Sequence, residues 1–164
     1  MCSSDLEEVG TARLWTREEQ AFVASVADLV SQLMVLNTLR NSEIRYRALF
    51  DGSGDAIFVV RNGIFIDCNT TALRMFRCSR EQMIGRSPAE FSTPLQPDGI
   101  TSADKAMRKI KATLGGQVQS FEWRHRRYDG STFEAEVTLN AVLIEDTTCV
   151  IGSVRDISDR KQAE

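Results

Sequence analysis

The sequence predicts an α+β protein: a five-stranded antiparallel sheet with short helices and one longer helix on one face, plus a long N-terminal linker helix. Three observations carry this reading. A helix opening at Thr16 meets no Gly or Pro until Gly52. From Ala56 the apolar period changes from helical to strand-like. Asn62-Gly63 and Asp129-Gly130 then separate apolar runs, and such pairs tolerate the positive φ of tight hairpin turns.

Thr16 and Glu19 fit a capping box, a hydroxyl cap followed by a carboxylate that reaches back to the cap's amide. Within the helix, Phe22, Val26, Leu29, Leu33 and Leu36 follow 4-3-4-3 spacing, which keeps one apolar seam on a single face. Val23, Val30 and Met34 widen it into a stripe that asks for burial. The stripe either packs on the chain's own sheet or serves as a parallel dimer helix or the tail of a preceding domain. Arg40 and Glu43 interrupt the seam, and Asn41 and Ser42 are weak helix formers, so a kink or fresh start is expected near Ser42.

The strand region opens with two short apolar runs, Ala56 to Val60 and Gly63 to Cys68, joined at Asn62-Gly63. Asn69 caps a short helix carrying Ala72, Leu73 and Phe76. Ser79 and Gln82 form a second capping box over a short helix ending at Gly85, and Ser87-Pro88 opens a third helical turn. Pro94, Pro97 and Gly99 mark a loop. Ala103, Ala106, Met107, Ile110 and Leu114 give the longer helix its i, i+3, i+4, i+7 pattern, and Gly115-Gly116 ends it. Three strands follow, over 118–128, 132–143 and 148–156, with a turn at Glu145-Asp146 before the last. In the middle one, Phe133, Ala135, Val137, Leu139 and Ala141 alternate with polar residues, as one buried and one wet face require. Apolar helix faces must cover the apolar sheet face, which closes the fold.

The bulk properties exclude several roles. The 164 residues suit one domain plus an appendage, and 42% hydrophobic with 26% charged residues is an ordinary globular balance. A net charge of −3 gives no electrostatic case for nucleic acid. No uninterrupted apolar run approaches the roughly 20 residues that span a bilayer, and Met1 to Gly10 is polar and acidic, so a cytoplasmic chain without a membrane span is expected. Cys2, Cys68, Cys78 and Cys149 include no CxxC pair, and His125 is the one histidine, so no metal site is expected.

A family resemblance accompanies these features. Tyr46-Arg47-Ala48-Leu49-Phe50 with Asp55-Ala56-Ile57 resembles the opening of a PAS domain. Ile66-Asp67-Cys68-Asn69 with Ala72-Leu73 and Phe76 resembles its second strand and first helix. Gly85-Arg86-Ser87, Gln96-Pro97-Asp98-Gly99 and Arg127-Tyr128-Asp129-Gly130-Ser131 match further landmarks. Arg155-Asp156-Ile157-Ser158-Asp159-Arg160-Lys161 resembles the motif that leads from such domains into an output helix. Upstream, Trp15-Thr16-Arg17-Glu18-Glu19, Phe22 and Val26-Ala27-Asp28 resemble the last helix of a GAF domain. The expected organisation is a tail over 1–15, a linker or dimer helix over 16–41, the PAS domain over 42–158 and the start of an output helix over 159–164. The resemblance implies a sensory or dimerising module of bacterial signal transduction, in a homodimer, with a covalently linked output such as a histidine kinase or cyclic-di-GMP enzyme.

Catalysis is not expected: no P-loop or dinucleotide fingerprint occurs, and His125 lies in a strand among Arg124, Arg126 and Arg127, which would disfavour its protonation. A haem-binding PAS domain carries an axial histidine on its long helix, and 103–114 has none. A photoadduct-forming LOV domain carries a cysteine just before that helix, and 86–95 has none. A non-covalent flavin or a small metabolite remains open, as does a filled core. Candidate lining residues are Phe58, Ile66, Cys68, Leu73, Phe76, Met83, Phe91, Met107, Ile110, Phe121, Trp123, Leu139 and Val154, with Cys68 and Trp123 the suggestive polar groups. Asp156, Ile157 and Ser158 are the expected relay. Asp156 pairs with Arg126 or Arg127 or caps the outgoing helix, and Ser158 is the expected N-cap.

Overall fold

The computed structural model describes residues 14–164; most of the expected tail, with Cys2, lies outside the described residues. The chain divides into two units, Met1–Arg45 and Tyr46–Glu164.

Helix α1 (Arg17–Asp51) opens on the expected capping box: the Glu19 amide donates to Thr16 Oγ1 at 3.1 Å and the Thr16 amide to Glu19 Oε2 at 2.9 Å. The expected break at Ser42 is absent. Asn and Ser cost a helix only about 0.5 kcal/mol each, and without Gly or Pro the ladder runs through. Phe22, Val26, Leu29, Leu33 and Leu36 are all exposed, between 43% and 69%. The helix also holds an 18-residue window of mean hydropathy 1.5, so by length and composition it is apolar enough to cross a membrane. The expectation of no membrane span rested on uninterrupted runs and not on this average. Asp28, Gln32 and Asn37 break the runs without lowering the average enough.

The second unit is built on strands β1 (Ala56–Arg61), β2 (Ile64–Cys68), β3 (Gln119–Arg126), β4 (Thr132–Ile144) and β5 (Thr147–Asp156). They form one sheet in the order β2-β1-β5-β4-β3, every pair antiparallel. Between β2 and β3 lie α2 (Thr70–Phe76), α3 (Arg80–Met83), a 3₁₀ turn (Pro88–Phe91) and α4 (Ser102–Leu114); α5 (Ser158–Gln162) follows β5. The caps of α2 and α3 fall where the residues predict them. Asn69 Oδ1 accepts from the Ala72 amide at 2.9 Å to start α2, and Ser79 with Gln82 boxes α3.

Turn chemistry is less uniform than the sequence suggests. Asn62 and Gly63 both take positive φ, 52° and 79°, as a tight two-residue hairpin needs. Glu145 and Asp146 do the same at 48° and 58° without any glycine. At Asp129-Gly130 only the glycine is left-handed, and the loop is wider. The Arg127 amide donates to the Ser131 carbonyl, and Asp129 Oδ1 accepts from the Ser131 amide.

The core lies between one face of the sheet and the helices. Phe58, Phe65, Phe76, Phe91, Trp123 and Phe133 are buried in it, linked by edge-on ring contacts such as Phe65–Phe91 at 5.8 Å and Phe76–Phe133 at 5.4 Å. Two expected core positions are corrected. The β1–β2 register shifts between Val59 and Val60: Val59 pairs with Asp67 and Val60 with Phe65, leaving Ile66 as the extra residue of a bulge. Phe65 therefore turns into the core, while Ile66 is half-buried outside it. Met107 is 69% exposed, because the inward side of α4 runs along Ser102, Ala106, Ile110 and Thr113 and takes in only part of the expected apolar face.

Candidate functional site

A cavity of about 40 Å³ lies on the inner side of the sheet under α4. β1 supplies Phe58 and Val60, β3 supplies Phe121, Trp123 and His125, β4 supplies Val137 and Leu139, and β5 supplies Val150. Pro88 and Ser92, at the 3₁₀ turn, and Ala106, Lys109 and Ile110 of α4 complete the wall. The strand residues reach it through period-two alternation: Phe121, Trp123 and His125 share one side of β3 while Glu122, Arg124 and Arg126 take the other. Two of the lysines of α4 sit over aromatic faces, Lys109 Nζ 4.7 Å from the Phe121 centroid and Lys105 Nζ 5.7 Å from that of Trp123.

Beside the cavity, a glycine of β5 brings the backbone close to two of its lining side chains. Gly152 of β5 pairs with Phe58 on one side and Leu139 on the other. A Cβ at Gly152 would lie 2.4 Å from the Phe58 ring and 3.1 Å from Leu139. The missing side chain leaves room for the Phe58 ring over β5.

Polar groups on the wall are few and mostly committed. Trp123 Nε1 donates to Ser92 Oγ at 2.9 Å, and Ser92 Oγ donates to the Pro88 carbonyl at 2.9 Å. Gln96, buried beside them, bonds the backbone of Arg124 through both ends of its amide, at 2.9 and 3.0 Å, and Ser102 Oγ at 2.7 Å. This pins the loop before α4 to β3. His125 Nδ1 lies 3.1 Å from the Phe91 carbonyl, and a carbonyl can only accept, so the ring proton sits on Nδ1. That leaves Nε2 a bare acceptor. Among the described residues it is the one buried side-chain nitrogen or oxygen without a hydrogen-bond partner. Burial pushes the imidazole down to about 4, and the Phe91 bond and the charge of Asp156 only partly oppose it. The neutral state was foreseeable but its cause was not: desolvation, rather than the neighbouring arginines, suppresses the charge.

Of the residues singled out from the sequence, Phe58, Ile110, Phe121, Trp123 and Leu139 line the cavity. Cys68, Phe76, Met83, Phe91 and Val154 are core residues away from its wall, and Leu73 packs against them. Ile66 and Met107 belong to neither group. Cys68 is no polar handle: burial pushes its thiol up to about 11, and it faces the core beside α2. The Trp123 indole is already spent on Ser92. His125 and Ser92 were missed as lining groups. His125 shares its alternation phase with Phe121 and Trp123, which was the available signal.

The residues expected to form a relay stand at the end of β5. Asp156 takes both suggested roles, accepting from Arg127 Nη2 at 3.1 Å with one oxygen and from the Ser158 amide at 2.9 Å with the other. Arg127 in turn donates to the Met75 carbonyl at 2.9 Å and lies over the Phe133 ring at 4.3 Å. Ser158 is not the N-cap; Ile157 is, with its side chain buried. The Ser158 hydroxyl is turned to the sheet, where it accepts from the Glu134 amide at 3.2 Å. Outside the sheet, Glu122 of β3 pairs with Arg160 at 3.7 Å and with Lys161 of α5. Among the described residues no cluster of three or more His, Cys, Asp or Glu side chains is placed to hold a metal.

Comparison with known proteins agrees with this architecture. A PAS domain family model matches residues 54–159, and the chain belongs to that family. It is 30% identical over 151 residues to an uncharacterised protein of Azorhizobium caulinodans, covering 89% of this chain and 20% of that protein. It is 24% identical over 154 residues to sporulation kinase A of Bacillus subtilis, covering 90% of this chain and 24% of the kinase. The chain thus spans a quarter or less of these relatives. The PAS domain of an HTR-like protein from Haloarcula marismortui has the same fold, with a TM-score of 0.61 at 24% identity over 76% of this chain and 98% of that one.

Proposed function

We propose that this PAS domain is a cytoplasmic sensor module of a larger signalling protein, holding a small ligand in its core and relaying its presence through β5 to α5. The observation that carries this is the position of the cavity. Val150 lines it from the strand that ends, six residues later, in Asp156. A guest that shifts Val150, or Leu139 opposite Gly152, bears on the strand whose end fixes α5 through Asp156, Ile157 and Ser158. The size of the space, about 40 Å³, favours a small metabolite over a flavin. An output domain covalently attached beyond α5 would receive the signal.

The test is amide hydrogen exchange on the chain with and without a ligand found by thermal-shift screening of small uncharged metabolites. Binding should change protection in α5. In Asp156→Ala the change at α5 should vanish while affinity stays within about twofold, because the two bonds of Asp156 are worth about 0.5–2 kcal/mol, comparable with the bias on a two-state linker. An undiminished response at α5 in the variant would place the relay elsewhere.

A second reading, dimerisation, rests on its own observation, the exposed seam of Phe22, Val26, Leu29, Leu33 and Leu36. A parallel two-helix seam suits this helix better than a bilayer. Asp28 sits inside the apolar segment, bonded to Gln32 at 3.1 Å, and a carboxylate at a bilayer centre costs about 2.5–3.5 kcal/mol. The two readings are compatible, since a dimer helix can precede a sensing domain.

A further inference from the structure

Resting on the reading of the cavity as a ligand site, we infer that its ligand is a small uncharged molecule, apolar over most of its surface, carrying one hydroxyl or N–H group that donates to Nε2 of His125. The chemistry of the wall decides this. Phe58, Val60, Val137, Leu139 and Val150 offer nothing to a polar or charged guest. Ser92 is occupied as acceptor by Trp123 and as donor by the Pro88 carbonyl. Lys109 reaches the aromatic face of Phe121 and, at 3.4 Å, Gln119 Oε1 at the outer edge.

His125 is therefore the wall's one buried group with an uncommitted polar atom, and the Phe91 carbonyl fixes which kind. With the proton held on Nδ1, Nε2 can only accept. A guest that only accepts, such as a ketone or an ether, would face lone pair with lone pair. A carboxylate or an ammonium would be stripped of water without a counter-charge, which apolar burial strongly disfavours. A single water would find one partner where buried waters usually have about three. A small alcohol, or an azole with a free N–H, satisfies the nitrogen and covers the apolar wall together. The resting tautomer is also reinforced, since a donor at Nε2 favours the neutral imidazole.

His125 is the only histidine of the chain, so its ring nitrogens can be read without assignment ambiguity. The experiment titrates the chain, labelled with ¹⁵N in the histidine ring, with 2-propanol and separately with acetone, which has the same four-atom skeleton but no donor. The expected result is a saturable upfield movement of the Nε2 resonance with 2-propanol, and affinity for 2-propanol roughly three- to tenfold above that for acetone, the span of one net hydrogen bond. His125→Phe should erase that preference. Should that variant fold poorly, the titration of the unmodified chain still decides. Saturable binding of both probes with equal affinity and an unmoved Nε2 would overturn the inference while leaving the cavity a ligand site. Saturable binding of neither probe would overturn the sensing reading as well.

Discussion

At the scale of single residues, Asn69 shows how one side chain holds several elements. It is fully buried, and its amide nitrogen donates to the carbonyls of Phe50 at 2.8 Å and Asp55 at 3.0 Å. Its oxygen accepts from the amides of Ile57 and Ala72, both at 2.9 Å. All four hydrogen-bonding capacities are used, joining the end of α1, the start of β1 and the N-terminus of α2. Asn69→Ala orphans buried backbone groups at each, so urea denaturation should show a loss of about 2–4 kcal/mol. His125 makes the residue scale visible in pH. Its folded value of about 4 lies below the ordinary 6.5, so between those values the unfolded chain takes up a proton that the folded chain refuses. Stability should therefore fall as pH drops through 6.5, with the loss complete near 4, amounting to roughly 3 kcal/mol. Hydrogen bonds also hold the Asp51 and Glu90 carboxyls low, and these act in the same direction, so the informative quantity is a difference. The native chain minus His125→Phe should lose stability across that window, and a flat difference would show the imidazole to be solvated. The sequence marked Asn69 as a helix cap, yet its bonds to Phe50 and Asp55 depend on chain segments that meet only in the fold.

At the scale of elements, β5 is central in position and in consequence. It lies between β1 and β4, and Gly152 halfway along it lets Phe58 and Leu139 approach. Gly152→Ala should drive the Phe58 ring off the sheet and into the cavity. The expected outcome is a melting transition shifted by an overpacking cost of about 1–3 kcal/mol, together with loss of small-molecule binding. Retained affinity would mean that the ring escapes elsewhere. β2 and α4 show where element-level reading fails. Alternation extended from Cys68 along β2 selects Ile66, but one bulged residue inverts the phase beyond it and brings in Phe65. In α4 the apolar pattern selects Met107, while packing turns Ser102 and Thr113 inward, where hydrogen bonds satisfy them: Gln96 Nε2 reaches Ser102 Oγ at 2.7 Å, and Thr113 Oγ1 donates to the Lys109 carbonyl at 2.8 Å. A helix can bury small polar residues once their partners are in place, here a side chain of the preceding loop and a carbonyl of the helix itself.

At the scale of the whole molecule, the seam on α1 is the feature that asks for a second copy. Fully covering an apolar side chain of this size contributes about 1.5–3 kcal/mol, and five lie in one row. Light-scattering chromatography should report a dimer for the chain and a smaller, monomeric or weakly associating species after deletion of residues 1–41. A dimer unchanged by the deletion would place the interface on the second unit. Vesicle flotation separates this from membrane insertion, since a two-helix seam predicts no co-migration with lipid. The sequence by itself determined the class of fold, the order of the elements, the caps at Thr16, Asn69 and Ser79, and the family. These follow from local rules: period, capping geometry and short motifs in a fixed order. The tertiary structure decided which side chains bound the cavity, that Arg127 and not Arg126 meets Asp156, and that His125 stands neutral with one nitrogen unmatched. Each of these depends on strand register and on partners distant along the chain, which no local pattern encodes.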